Sequence, residues 1–142
     1  MKKFNSKKVI FISISVVSII LCLIIIYIVI EHIKLTELEA FRNELINMQT
    51  QIDKLYDKIE NTENMGKKLN NNSQAYEAFK ACNIKSDIND YRYFDTETLN
   101  NLNIQGVTGE FLVNLNTRSI ISYRGFEYKG KKYYTLKQLP NN

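Results

Sequence analysis

The strongest constraint on this chain is a run of 22 residues, Val9–Ile30 (VIFISISVVSIILCLIIIYIVI), with no charge, proline or glycine. A helix apolar on every side has no polar face to turn toward water, so it must be surrounded by protein or by lipid. At about 1.5 Å per residue the run spans roughly 33 Å, which matches a hydrocarbon core of about 30 Å. Lys2, Lys3, Lys7 and Lys8 precede it, whereas Glu31, Lys34, Glu37 and Glu39 follow it without net positive charge. This asymmetry predicts a cytoplasmic N-terminus and an exported C-terminal part. The run is too long for a cleaved signal, and Tyr27 to Ile33 offers no small-x-small cleavage site. Cys22 follows Ile-Ile-Leu, not the small residues of a lipoprotein signal. The expectation is an uncleaved signal anchor in a single-pass membrane protein, with the lipid bilayer as its first partner.

Charge points the same way. The formal net charge of +4 comes from 19 Lys+Arg against 15 Asp+Glu, and the four lysines before the apolar run account for all of it. A basic tail on a neutral body argues against nucleic acid as a partner, which calls for a basic stripe on the folded part. Two cysteines and one histidine are too few for a Cys/His metal site or a disulfide framework, so no metal or other cofactor is expected.

Within the apolar run, Ser15, Ser18 and Cys22 fall on one helical face of small side chains. Such a face lets a second membrane helix approach closely. Alternatively, the hydroxyls bond back to carbonyls of their own helix.

Beyond the run, Leu38, Phe41, Leu45, Met48, Ile52, Leu55 and Ile59 recur in alternating steps of three and four. This is a heptad seam on a helix predicted to continue from the membrane segment for about 80 Å in all. Glu37, Glu39, Arg42, Glu44, Asp53, Lys54, Asp57 and Lys58 flank it as an expected solvated face. Two packings compete. The seam is a coiled coil with another helix, or it is the stripe on which the chain's own sheet packs. Phe41 and Met48 suit the d positions of a tight dimer poorly, which favours the second.

The remainder reads as a small α+β head. Asn61 to Asn72 is a polar linker, and Ser73 is placed to cap a short helix, Gln74–Ala81, whose Tyr76 and Phe79 share a face. Asp87 to Phe94 reads as irregular and aromatic, and Asp95 as the cap of a second short helix carrying Leu99 and Leu102. Glu110–Leu115 with Ser119–Tyr123, and Phe126–Tyr128 with Lys132–Leu136, read as two successive hairpins of one antiparallel meander. A sheet that small needs a helix across one face. The seam helix is acidic, with eight acids and four bases from Glu31 to Glu63, while Arg118 to Lys137 holds six bases and one acid. The expected divisions are 1–8 tail, 9–30 membrane helix, 31–63 amphipathic helix, 64–72 linker and 73–142 head.

Catalytic chemistry has little to stand on. His32, the only histidine, sits where the chain leaves the membrane, with no nucleophile or second base adjoining it. Cys82 follows an amphipathic stretch and is expected to be buried. Asp87, Asp90, Asp95 and Glu97 lack the order of a known calcium loop. No phosphate-cradling loop is present, and no small-molecule substrate is expected. The basic, aromatic stretch YRGFEYKGKKYY reads as a solvated hairpin whose lysines protect an exposed edge, with stacking on glycan or lipid headgroups as the alternative.

A membrane helix running into a long amphipathic helix, then a loop and a small antiparallel sheet, resembles type IV pilins and pseudopilins. Tyr91-Arg92-Tyr93-Phe94-Asp95, Leu99, Leu102 and the stretch from Gly109 (GEFLVNLNTRSIISYRGFEYKGKKYYTL) look like the C-terminal region of pilin-like proteins, over about 45 residues. The resemblance implies a non-enzymatic structural or assembly protein outside the cytoplasm, an accessory component of a type IV pilus or secretion-type machinery. Its partners would be other envelope proteins or further copies of itself. Pilin precursors are cut after a glycine before the apolar segment, and mature pilins carry a glutamate near its start. Here no glycine precedes Gly66 and no acid precedes Glu31, so this chain is expected to keep its anchor. The alternative class is the bitopic scaffold of the envelope or division septum, with a basic tail, one membrane helix, a coiled coil and a small head.

Overall fold

The computed structural model describes residues 6–58, 65–70 and 72–140. Lys2, Lys3 and the seam residue Ile59 lie outside them. Helix α1, Ser6–Tyr56, is a single 51-residue helix without proline or glycine. The chain divides into two compact units, one reaching to Glu37 and one covering Leu38–Asn142. In the first unit, every large apolar side chain from Ile10 to Ile30 is exposed. By length and composition this part of α1 is sufficient to cross a membrane.

The second unit is α+β. Strands β1 (Lys67–Lys68), β2 (Tyr91–Phe94), β3 (Phe111–Asn114) and β4 (Ile120–Ser122) form an antiparallel sheet in that order. Helix α2 (Ser73–Ala81) and helix α3 (Thr96–Asn101) lie between the strands in sequence. Strands β5 (Phe126–Tyr128) and β6 (Lys131–Tyr133) make a separate two-stranded hairpin.

Both faces of the larger sheet are covered. On one face Phe94, Phe111, Val113 and Ile120 share a core with Leu38, Leu45, Met48 and Ile52 of α1, with Phe41 and Leu55 packed at its margin. On the other, Tyr91, Leu112 and Ile121 share a core with Ala75 and Ala78 of α2. Alternation along β2 and β3 divides these residues between the two cores. Burial on both sides explains why Phe111-Leu112-Val113 is continuously apolar, a pattern otherwise typical of fully covered strands.

Several expectations are corrected. Residues 91–94 are a strand, not an irregular aromatic segment; Tyr91 pairs with Asn114 and Phe94 with Phe111. The two C-terminal hairpins do not join into one meander. Gly125 adopts φ +66°, and a Cβ there would meet the Tyr133 carbonyl oxygen and the Tyr134 ring at 2.9 Å. The chain turns out of the sheet at this point, and Phe126 stacks on Phe41 with ring centroids 5.3 Å apart. A single hydrogen bond, Ser122 N–H to the Tyr134 carbonyl at 2.8 Å, links β4 to the segment after β6. The cap of α2 is Asn72, whose side chain accepts from the Ala75 amide, and not Ser73. Tyr76 is 48% exposed, because close approach of α2 to the sheet requires the small Ala75 and Ala78 at the contact. Asp95 caps α3 through the Thr98 amide at 2.9 Å.

The buried stripe on α1 makes a direct prediction. Leu45→Ala, Met48→Ala or Ile52→Ala in the full chain should each cost about 2–5 kcal/mol of head stability, the usual result of emptying a packed site. Ile46→Ala, at a position 48% exposed on the same helix, should change it by less than about 0.5 kcal/mol. Denaturant unfolding in micelles, followed by tyrosine fluorescence, distinguishes the two sets. Equal small effects at all four positions would show that the seam does not hold the head.

Candidate functional site

Two surfaces carried the functional expectations, the seam and the small face of the apolar run. Leu38, Leu45, Met48 and Ile52 are at most 1% exposed, so these side chains are taken up inside the chain's own core. Phe41 and Leu55 are partly buried against the same core. The small face is different. Ser15, Ser18 and Cys22 are exposed on α1. The Ser15 hydroxyl donates to the Phe11 carbonyl at 3.0 Å, one turn back on its own helix.

A girdle of polar contacts surrounds the seam, with no local sequence signal to mark it. Glu44 was expected on a solvated face. Instead, its Oε1 accepts from the Thr108 amide at 2.6 Å, the Gly109 amide at 2.8 Å and the Thr108 hydroxyl at 2.9 Å. Asn47 Nδ2 donates to the Gln105 and Gly106 carbonyls, each at 3.0 Å. Gln51 donates to the Gln105 carbonyl and accepts from the Gln105 amide, a reciprocal side-chain-to-backbone pair. Gln49 reaches the Arg118 carbonyl at 2.9 Å, and Arg42 Nη2 reaches the Pro140 carbonyl at 2.6 Å. All these residues stand on α1, and most of their partners are backbone groups of head loops. Such groups need partners when folding takes them from water. No periodic pattern marks them, because their partners lie 54 to 98 residues away.

Among the described residues, the expected charge attraction between helix and sheet comes down to one ion pair. Arg118 Nη1 lies 3.0 Å from Asp57 Oδ1, with its guanidinium over the Tyr56 ring at 5.3 Å. Both partners are substantially exposed, so the pair adds little. A second ion cluster joins Lys67 of β1 to Asp95 at 2.5 Å and Glu97 at 2.7 Å. The Lys67 ammonium, together with the Thr98 amide and hydroxyl, holds the Asp95 carboxyl down to about 2. The same carboxylates raise Lys67 above the usual lysine range.

A cleft of about 620 Å³ opens beside β4, bordered by Gln49, Cys82, Ile84, Ile120, Leu136 and Lys137. Cys82 is half-buried, and burial pushes its thiol up to about 11. It is therefore protonated and a poor nucleophile at neutral pH. Its Sγ lies 4.0 Å from Gln138 Oε1. That oxygen also accepts from the Tyr134 and Thr135 amides, while Gln138 Nε2 donates to the Ala81 carbonyl at 3.0 Å and ties the C-terminal turn to α2. No carboxylate or imidazole lines the cleft among the described residues. Nor do three or more His, Cys, Asp or Glu side chains gather there or elsewhere among those residues as a metal centre would need. His32 is exposed on α1, and its carbonyl accepts from the Thr36 hydroxyl.

The Asp95 cluster sets a pH dependence. Its folded-state value lies below the ordinary 3.8, at about 2. The carboxylate therefore stabilises the head fully above about pH 4, and this contribution is lost as pH falls toward 2. Asp95→Asn keeps an N-cap side chain and removes the charge. The variant should be less stable than the parent at pH 6, and the gap should close by pH 2. A constant gap across that range, in urea titrations at each pH, would remove Asp95 from the acid response.

No protein-family model, no curated protein and no solved structure matches this chain.

Proposed function

We infer that this protein is a membrane-anchored, non-enzymatic structural or assembly component of the cell envelope, organised like a type IV pilin and acting as an accessory part of a pilus or secretion-type machine. The observation that carries this reading is the division of labour along α1. Its first part is an exposed apolar stretch long enough to cross a bilayer, and its later part is the spine of a small sheet. An anchor and a docking module built on one uninterrupted helix suit a protein that holds its place in a membrane and presents a folded surface to neighbours. The apolar stretch from Ile10 to Ile30 is the anchor, and the preceding lysines keep the N-terminus in the cytoplasm. Without a glycine before Gly66, the anchor is retained.

The septal-scaffold alternative needs an exposed coiled-coil seam for another protein's helix. Burial of Leu38, Leu45, Met48 and Ile52 in the chain's own core speaks for the pilin-like reading over it.

Three measurements test the proposal. Reporter fusions after Gly66 and after Asn142 should both be active outside the cytoplasm, and membrane-extracted protein should retain its N-terminal segment by mass spectrometry. A cytoplasmic signal, or a mature chain starting after Ile30, would end the anchored reading. Photo-crosslinkers at the exposed Ile33, Leu35 and Tyr76 should capture pilus-assembly components in the native membrane. Capture of division-septum proteins would transfer the protein to the scaffold class.

A further inference from the structure

The larger sheet ends on β4 with part of that edge open. Hydrogen-bonded and non-bonded pairs alternate along an antiparallel ladder. Asn114 N–H donates to the Ser119 carbonyl and Tyr123 N–H to the Glu110 carbonyl, so residues 119, 121 and 123 turn their backbone groups toward β3. Those of Ile120 and Ser122 therefore face away from the sheet. The Ser122 N–H is taken up by the Tyr134 carbonyl, whereas among the described residues the Ile120 N–H and carbonyl have no backbone partner. Ile120 borders the cleft of about 620 Å³, and these two groups open into it. The hairpin that follows β4 does not take the edge, because the chain turns out of the sheet at Gly125 and Phe126 stacks on Phe41. Nor does β4 (Ile-Ile-Ser) carry a charge or proline of the kind that guards an open edge.

The cleft has the shape of a missing strand. Gln49 of α1 stands on one side of the β4 edge, and Cys82, Ile84 and Ser86, which follow α2, stand on the other. Thr135, Leu136 and Lys137 close the end at which Tyr134 meets Ser122. A strand paired with β4 would lie about 4.8 Å from it, between these walls. Its alternate side chains would face Ile120 and Leu136 on one side and the adjacent Tyr91 and Ser119 hydroxyls on the other. The walls also decide what can enter. In a second copy the β4 edge lies at the bottom of an identical slot, so two copies cannot bring these edges together, while a single extended segment fits. Lys137 is the only charged side chain bordering the cleft, and among the described residues it has no ion-pair partner. Charge complementarity thus calls for an acidic occupant.

We propose that the β4 edge takes up an extended acidic segment of a partner protein as a fifth strand, hydrogen-bonded to the Ile120 backbone and bringing a carboxylate to Lys137. Main-chain bonds in such an arrangement hold the segment, and the pockets for its alternate side chains select it. The inference goes beyond the assembly role above by naming how the head grips a neighbour. It draws on the head alone, so it stands or falls separately from the membrane anchor.

The test uses the isotope-labelled full chain in detergent micelles and follows hydrogen exchange of single amides by NMR. The probe is a synthetic peptide, acetyl-Glu-Val-Thr-Val-Thr-Val-Glu-amide, which alternates apolar and hydroxyl side chains and carries an acid at each end. At saturating peptide the Ile120 amide should exchange about tenfold more slowly, and alkylation of Cys82 by a maleimide should slow with it. The same peptide N-methylated at alternate residues lacks the ladder donors on one edge and leaves the other intact, so the two methylation phases should differ, with one of them giving no protection. Replacing both glutamates by lysine should weaken binding about threefold, the scale of an exposed ion pair, and Lys137→Gln should erase that difference. An Ile120 amide unaffected by peptide would overturn the proposal. Equal protection by both methylated forms would show apolar adhesion without strand pairing and overturn it as well. Protection of Ile120 without peptide that rises with protein concentration would assign the slot to a second copy of the chain, and protection independent of concentration would assign it to the chain's own residues. Either result would remove the partner peptide.

Discussion

The structure depends on burial of one helical stripe. Strands of two to four residues cannot hold themselves together in water, because so short a ladder buries too little apolar surface to offset the chain entropy it loses. Leu38, Leu45, Met48 and Ile52 supply the missing surface to Phe94, Phe111 and Val113. Each of these large side chains contributes on the order of 1.5–3 kcal/mol when fully removed from water. Because α1 carries both this stripe and the exposed apolar stretch, the helix that would sit in the membrane is also the helix that makes the head possible.

Polar contacts settle how the head sits on that stripe. Apolar packing alone tolerates sliding, since one leucine-sized knob fits a neighbouring hole nearly as well. Glu44 with three donors from residues 108 and 109 does not, and neither does the reciprocal Gln51–Gln105 pair. These contacts fix register along and around α1. Hydrogen bonds to a charged group are also stronger than neutral ones. The loop from Gln105 to Gly109 lacks regular structure of its own, and α1 satisfies part of its backbone.

Local turn chemistry shapes the other end of the head. Asn114 is fully buried, and its Oδ1 accepts from the Asn116 and Thr117 amides at 2.9 and 2.8 Å. This internal bond bends the chain toward Arg118, which takes φ +60°, and sets the β3–β4 register. Farther on, Gly125 is the only residue type that fits so close to Tyr133 and Tyr134 with positive φ. There the chain leaves one sheet and starts the other, and this separation places the lysine-bearing hairpin on Phe41 and not on the β4 edge.

The apolar run, the long uninterrupted helix, the seam and the two C-terminal hairpins are legible in the chain before it folds. Each of these is written in local periodicity or composition, which reports what a segment must do whatever surrounds it. Asp95 as a cap was legible for the same reason, since a cap acts on amides two or three residues away. Tertiary structure decided the rest. Residues 91–94 became a strand because β3 was there to pair with them, and Ala75 and Ala78 face inward because the sheet comes close enough to demand small side chains. Glu44, Asn47 and Gln51 look like ordinary solvated-face residues until the 105–109 loop folds back over them. Local pattern records which side of an element prefers water, but partners more than fifty residues away are chosen only when the whole chain has packed.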